Sequence, residues 1–180
     1  MAQAPHPATA RAVAANILSS AEQTQQYLTF MLGGDVFASG ILAIKEIIEY
    51  SDLTAVPMMP AYVRGVINLR GAAVPVIDLL VRFGKKPSDV TKRTCIVIME
   101  IATLGERQDV GVVVDSVDAV LDIPASEIEP PPAFGAKIST DFIRGVGKVN
   151  GRFVILLDVN HVLAVDEVVL LTQAAAHESQ

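Results

Sequence analysis

The sequence predicts an all-β protein made of two small closed barrels of about five strands each, the product of an internal duplication, with short helical turns and a C-terminal helix. Three observations carry this. The stretch Tyr62 to Phe83, YVRGVINLRGAAVPVIDLLVRF, returns without a gap as Phe142 to Leu163, FIRGVGKVNGRFVILLDVNHVL. Arg64, Gly65, Val66, Gly71, Val74 and Asp78 reappear at a constant offset as Arg144, Gly145, Val146, Gly151, Val154 and Asp158, so one supersecondary unit occurs twice. Short apolar runs bounded by Gly, Pro, Asn and Asp recur through both halves, the pattern of strands and turns. Finally, 180 residues at 51% hydrophobic content can fill two small cores, and sheets this short leave exposed edges unless each closes on itself.

Residues 1 to 24 read as a flexible leader. Pro5 and Pro7 open it, and the helical spacing of Ala10, Val13, Ala14, Ile17 and Leu18 covers too short a length to hold an isolated helix in water. The first barrel is expected over about residues 25 to 88. It begins with a strand at Tyr27 to Leu32, a turn at Gly33-Gly34-Asp35 and a returning strand at Val36 to Gly40. Ile41, Ile44, Ile47 and Ile48 then fall at three- and four-residue intervals with Lys45, Glu46 and Glu49 between them, which predicts one or two helical turns. Pro57 and Pro60 mark an extended connection into the first copy of the repeat.

Each copy reads as a hairpin. The first turns at Asn68-Leu69-Arg70-Gly71 and the second at Lys148-Val149-Asn150-Gly151, where Asn150-Gly151 is a strong type I′ signal because both central residues take positive φ. Gly71, Asn150 and Gly151 are accordingly turn residues. The return strands, Ala73 to Ile77 and Phe153 to Leu157, are apolar at nearly every position, as strands covered on both sides are. Asp78 and Asp158 stand where those strands stop, placed to cap the helical turn that follows.

Gly84-Lys85-Lys86-Pro87-Ser88-Asp89 is the expected crossing between the halves. The second barrel, about residues 92 to 164, repeats the plan. It has a strand at Thr94 to Ile101, a turn through Gly105 to Asp109 and a strand at Val110 to Val114. Val117, Val120, Leu121 and Ile123 follow as an echo of the isoleucine-rich stretch. Pro130-Pro131-Pro132 stiffens the approach to the second copy, and a helix is expected over about 165 to 176. The pattern leaves open whether terminal strands exchange between the barrels.

Composition excludes several functions. A net charge of −6 and a pI near 5.0 argue against a general grip on nucleic acid or anionic lipid. Trp is absent and aromatics make up 5%, which removes a stacking platform for single strands. Cys95, alone in an apolar strand, excludes a disulfide framework and fits reducing cytosol. Of the three histidines, His6 and His177 lie in the tails, so a metal cluster is poorly supported. Asp158 and His161 are three apart and form the best hydrolase candidate, yet no nucleophile motif, Walker loop or GxGxxG accompanies them. A binding module is the first reading, with a small-barrel nucleic-acid binder and a weak hydrolase as alternatives.

The runs RGVINLRGAAVPVIDL, VGVVVDSVDAVLDI at 110 to 123, and FIRGVGKVNGRFVILLDV together resemble the CheW-like domain family of bacterial chemotaxis coupling proteins, over about residues 25 to 172. The resemblance implies two SH3-like five-stranded barrels, no enzymatic activity and no cofactor. It implies a cytoplasmic scaffold between the signalling tip of a chemoreceptor and the regulatory domain of the histidine kinase CheA. Ring contacts between copies of the scaffold, or between scaffold and kinase, belong to the same expectation. The membrane is reached only through receptors. The resemblance also places Ile41, Ile44, Glu46, Gly65, Asn68 and Arg70 at or near the protein-binding surfaces, with Glu46 and Arg70 as a charged pair.

Overall fold

The computed structural model describes residues 23–103, 105–131 and 140–163. The expected helix over 165–176 and most of the leader lie outside the described residues. The strands are β1 (Thr24–Leu32), β2 (Asp35–Gly40), β3 (Ile44–Glu49), β4 (Val63–Leu69), β5 (Ala72–Asp78), β6 (Cys95–Thr103), β7 (Glu106–Val114), β8 (Ser116–Pro124), β9 (Ile128–Glu129), β10 (Ile143–Val149) and β11 (Arg152–Leu157). Two short helices, α1 (Leu79–Arg82) and α2 (Val159–Leu163), follow β5 and β11. The chain is thus all-β, with the repeated hairpins at β4-β5 and β10-β11.

The strands form a six-stranded sheet in the order β8-β1-β2-β11-β10-β9 and a five-stranded sheet in the order β3-β6-β7-β5-β4. Neither is built from one contiguous half, so the ranges 25–88 and 92–164 do not coincide with the two sheets. Each half lends its first hairpin to the other. β1-β2 pairs with β8 and β11, while β6-β7 pairs with β3 and β5.

Three apolar clusters explain the exchange. Ile67, Val74, Val76, Ile96, Ile98 and Val113 fill the five-stranded unit, and Tyr27, Ala38, Ile123, Val154 and Leu156 fill the six-stranded one. A larger cluster joins them, with Phe30, Leu32 and Phe37 from β1-β2 packed with Val97, Met99, Ile101, Val110, Val112 and Val114 from β6-β7. Successive residues of β6 and β7 therefore face either a barrel interior or the joint, which is why these strands are apolar on both faces.

Two elements correct the sequence reading. Only Ile41–Ala43 forms a 3-10 turn; Ile44–Glu49 is a strand, not a helical turn. Ile44, Glu46 and Ile48 are partly covered while Lys45, Ile47 and Glu49 are exposed, a period of two. Ile47, out of phase and 43% exposed, imitates the spacing of a helix. In the second half β7 already begins at Glu106, so the turn ends at Gly105 rather than Asp109. The Val117 to Ile123 stretch is strand β8.

Both units close in the same way. The chain leaving β3 bridges β4 through Thr54 and Val66, and the chain leaving β8 pairs Ile128 and Glu129 with Gly147 and Val146. This crossing is what the duplicated glycines permit. A Cβ on Gly65 would lie 2.7 Å from the Thr54 carbonyl oxygen, and one on Gly145 would lie 2.7 Å from Ile128 and 2.9 Å from the Glu129 carbonyl oxygen.

Both hairpin turns place two residues at positive φ: Arg70 (52°) with Gly71 (86°), and Asn150 (52°) with Gly151 (78°). A side chain at Gly151 would meet nothing within 4 Å, so any cost there comes from the left-handed backbone alone. Gly151→Val is expected to destabilise by about 1 kcal/mol or more. A denaturation midpoint equal to that of the unaltered chain would contradict it.

Candidate protein-binding surface

At the tip of the first hairpin the Asn68 side-chain oxygen accepts a hydrogen bond from the Gly71 N–H at 2.9 Å, bracing the turn. Arg70, 84% exposed, donates from Nη2 to Glu46 Oε2 at 3.2 Å. β3 and β4 are the two edges of the five-stranded sheet, and this ion pair joins them. Glu46 and Arg70 are thereby brought together as the sequence reading paired them. Close by, Lys45 donates to Asp109 at 3.1 Å and lies 3.5 Å from Glu100. The hydrogen bond and the charge of Asp109 hold the Lys45 ammonium above its usual pKa. Lys45, Glu46, Arg70 and Asp109 rim a hollow of about 320 Å³ floored by Leu69, Val74 and Ile98.

The energetics of Arg70 are unusual for a turn. An L-residue at left-handed φ costs roughly 1 kcal/mol, and Asn, the residue in the second hairpin, tolerates the position better. An exposed ion pair returns about 0 to 1 kcal/mol. The pair at most offsets the strain, so local stability does not select arginine here.

Gly65 is buried, and the closing segment accounts for its identity. Ile41 and Ile44 are partly buried against the central cluster. Between them Leu42, which the sequence reading passed over, is 98% exposed. Leu42 and Ile41 line a groove of about 650 Å³ with Thr24, Gln25, Arg144 and Asp158. Its signal in the sequence was a leucine out of phase with the isoleucines around it.

The two repeat copies differ at their aspartates. Asp78, buried, accepts from Leu80 N at 3.1 Å, Ser88 N at 2.9 Å and Ser88 Oγ at 3.1 Å, with Arg64 Nη1 at 3.7 Å. Arg64 lies over the Tyr50 ring and donates to the Ser88 carbonyl at 2.8 Å. Asp158 caps α2 through His161 N at 3.1 Å, with His161 Nδ1 3.4 Å from its other oxygen. The candidate Asp-His pair thus exists as a cap and a surface contact. Burial, and secondarily the charge of Glu49, push the Cys95 thiol above its usual pKa, which keeps it protonated and a poor nucleophile. Among the described residues no cluster of His, Cys, Asp and Glu could hold a metal ion. No described helix is long and apolar enough to cross a membrane.

Two small strand-sharing barrels thus present a groove and a charged hairpin tip, surfaces of the kind a scaffold class of protein uses. The chain belongs to the CheW-like domain family, whose description matches residues 26–167. Chemotaxis protein CheW of Klebsiella aerogenes is 34% identical over 84% of this chain and 89% of its own length. That of Bacillus subtilis is 34% identical over 77% and 86%. Protein FrzA of Myxococcus xanthus is 28% identical over 76% and 82%. The crystal structure of the scaffolding protein TtCheW from Thermoanaerobacter tengcongensis superposes with a TM-score of 0.71 at 33% identity, over 79% of this chain and 90% of that one. The chain is a scaffold of chemotaxis-type signalling with SH3-like barrels, and the nucleic-acid reading finds no support.

Proposed function

We propose that this protein is a non-catalytic cytoplasmic adaptor that couples the signalling tip of a chemoreceptor to the regulatory domain of the histidine kinase CheA. It reaches the membrane only through the receptor, and its remaining surface serves ring contacts with kinase or with further copies. Arg70 carries this reading: an exposed guanidinium in a strained turn position, held out by Glu46, is explained by a partner rather than by the fold. A planar five-donor group suits a carboxylate on that partner. The groove beside Leu42 suits the apolar side chains of a receptor helix, with Ile41 and Ile44 as its support.

Arg70→Asn copies the second hairpin and is expected to leave the denaturation midpoint within about 1 kcal/mol of the parent. The same variant should assemble poorly with receptor and kinase. The double exchange Glu46→Arg with Arg70→Glu then separates two roles. Recovery of assembly would assign the pair an internal positioning role, and continued loss would assign Arg70 a direct contact. Normal ternary assembly of Arg70→Asn would remove Arg70 from the binding surface.

A further inference from the structure

The duplication makes the first hairpin a control for the second. Where the first has Asn68, Ala72 and Ala73, the second has Lys148, Arg152 and Phe153 at the same offset. Asn68 braces its own turn, and the two alanines close the first hairpin with small neutral side chains. The three replacements do nothing comparable for the second hairpin. Lys148 and Arg152 are exposed, with no ion pair or hydrogen bond among the described residues, and Phe153 is 65% exposed.

The register sorts these side chains onto two faces, because directly opposed residues of an antiparallel pair share a face and successive ones alternate. Val149, opposite Arg152, packs toward the core of the six-stranded unit, so Arg152 ends that face. Lys148 and Phe153 oppose each other on the outer face, their Cβ atoms roughly 5 Å apart. Along that face of β11 Leu157 is buried, Ile155 is half-buried against the central cluster, and Phe153 continues the row into solvent. The same row in the first copy, Ile77, Pro75 and Ala73, ends in a small side chain. The fold thus leaves an aromatic ring uncovered beside an unpaired ammonium, on a chain whose net charge is −6.

We infer that the tip of β10-β11 is a docking patch for an acidic segment of another protein, which lays an apolar side chain on Phe153 and a carboxylate on Lys148. Charge decides the kind of partner. A phosphate polymer or an anionic membrane would meet repulsion from the acidic remainder of the chain, with two cations and one ring to hold it. A short acidic segment needs only one of each, and its apolar side chain completes the row that Phe153 extends. Arg152, on the opposite face, adds attraction at a distance that salt screens. The patch belongs to the six-stranded sheet, whereas Arg70 and Glu46 belong to the five-stranded one, and it depends on neither of the partners proposed above.

The test is a 1H-15N correlation titration of the full chain with a synthetic amphipathic helical peptide of Glu and Leu, with its Lys-for-Glu counterpart and with oligothymidylate. The acidic peptide is expected to move the amides of residues 146–155 to saturation, and the other two to leave them in place. Phe153→Ala and Lys148→Asn install the residues of the first copy, so the fold is kept, and each should weaken binding about tenfold. Lys148→Glu should exchange the preference, so that the Lys peptide binds and the acidic one does not. A hairpin unmoved by the acidic peptide would overturn the proposal, as would equal binding of the Lys peptide, the mark of an apolar contact without charge selection. Tighter binding of oligothymidylate at the tip would assign it to phosphate and overturn it too. A loss from Arg152→Ala equal to that from Lys148→Asn would overturn the assignment of the contact to the Phe153 face.

Discussion

Divided between Asp89 and Val90, the protein is expected to give two fragments that are unfolded apart and fold when mixed. The first fragment carries β1 to β5, but β3 pairs with β6, which the second fragment holds. β5 loses β7, and β1-β2 loses both β8 and β11. What remains is two hairpins and a lone strand, and isolated hairpins are marginal in water. The central cluster would be cut through as well, since Phe30, Phe37 and Ile77 come from one side and Val97, Met99 and Val112 from the other. Circular dichroism and thermal melting of each fragment and of the equimolar mixture would show this. A cooperative melt of residues 1–89 alone would mean that the first barrel is contiguous after all.

The second large effect is expected at Asp78. Asp78→Ala strands the partly buried Arg64 guanidinium and removes the acceptor of Leu80 N–H, Ser88 N–H and Ser88 O–H. Removing one partner of a buried ion pair costs about 3 to 5 kcal/mol. The equivalent Asp158→Ala removes an exposed cap, worth about 1 kcal/mol. Urea denaturation of both variants compares the copies directly. Equal losses would show that the duplicated aspartates do the same job, against the difference in their surroundings.

Much of this was legible in the chain because the duplication is written in identities. The hairpins, their turns and the two aspartate caps follow from local chemistry that a sequence displays. Strand exchange does not. Ile96 and Val97 are both apolar, and nothing in an alternating run tells which face meets a barrel interior and which the joint between barrels. The strand β3 was hidden because exposed Ile47 completed a helical spacing. Arg70 was placed at a binding surface by resemblance, but the register, which pairs Leu69 with Ala72, is what makes it a central turn residue at positive φ. Gly65, grouped by resemblance with the binding residues, is set by the approach of Thr54. Arg144 was visible as the partner of Arg64 in the repeat. Its exposure was not, because it depends on which copy is followed by Ser88.

Bridging is tested most directly by mixing the chain with a receptor signalling-tip fragment and the CheA regulatory domain and measuring the species formed by sedimentation velocity. The expected result is a ternary complex, larger than either binary complex, that is weakened by Arg70→Asn and unaffected by His161→Ala. Competition between receptor tip and kinase domain for one surface, or failure of both to bind, would contradict an adaptor that joins the two.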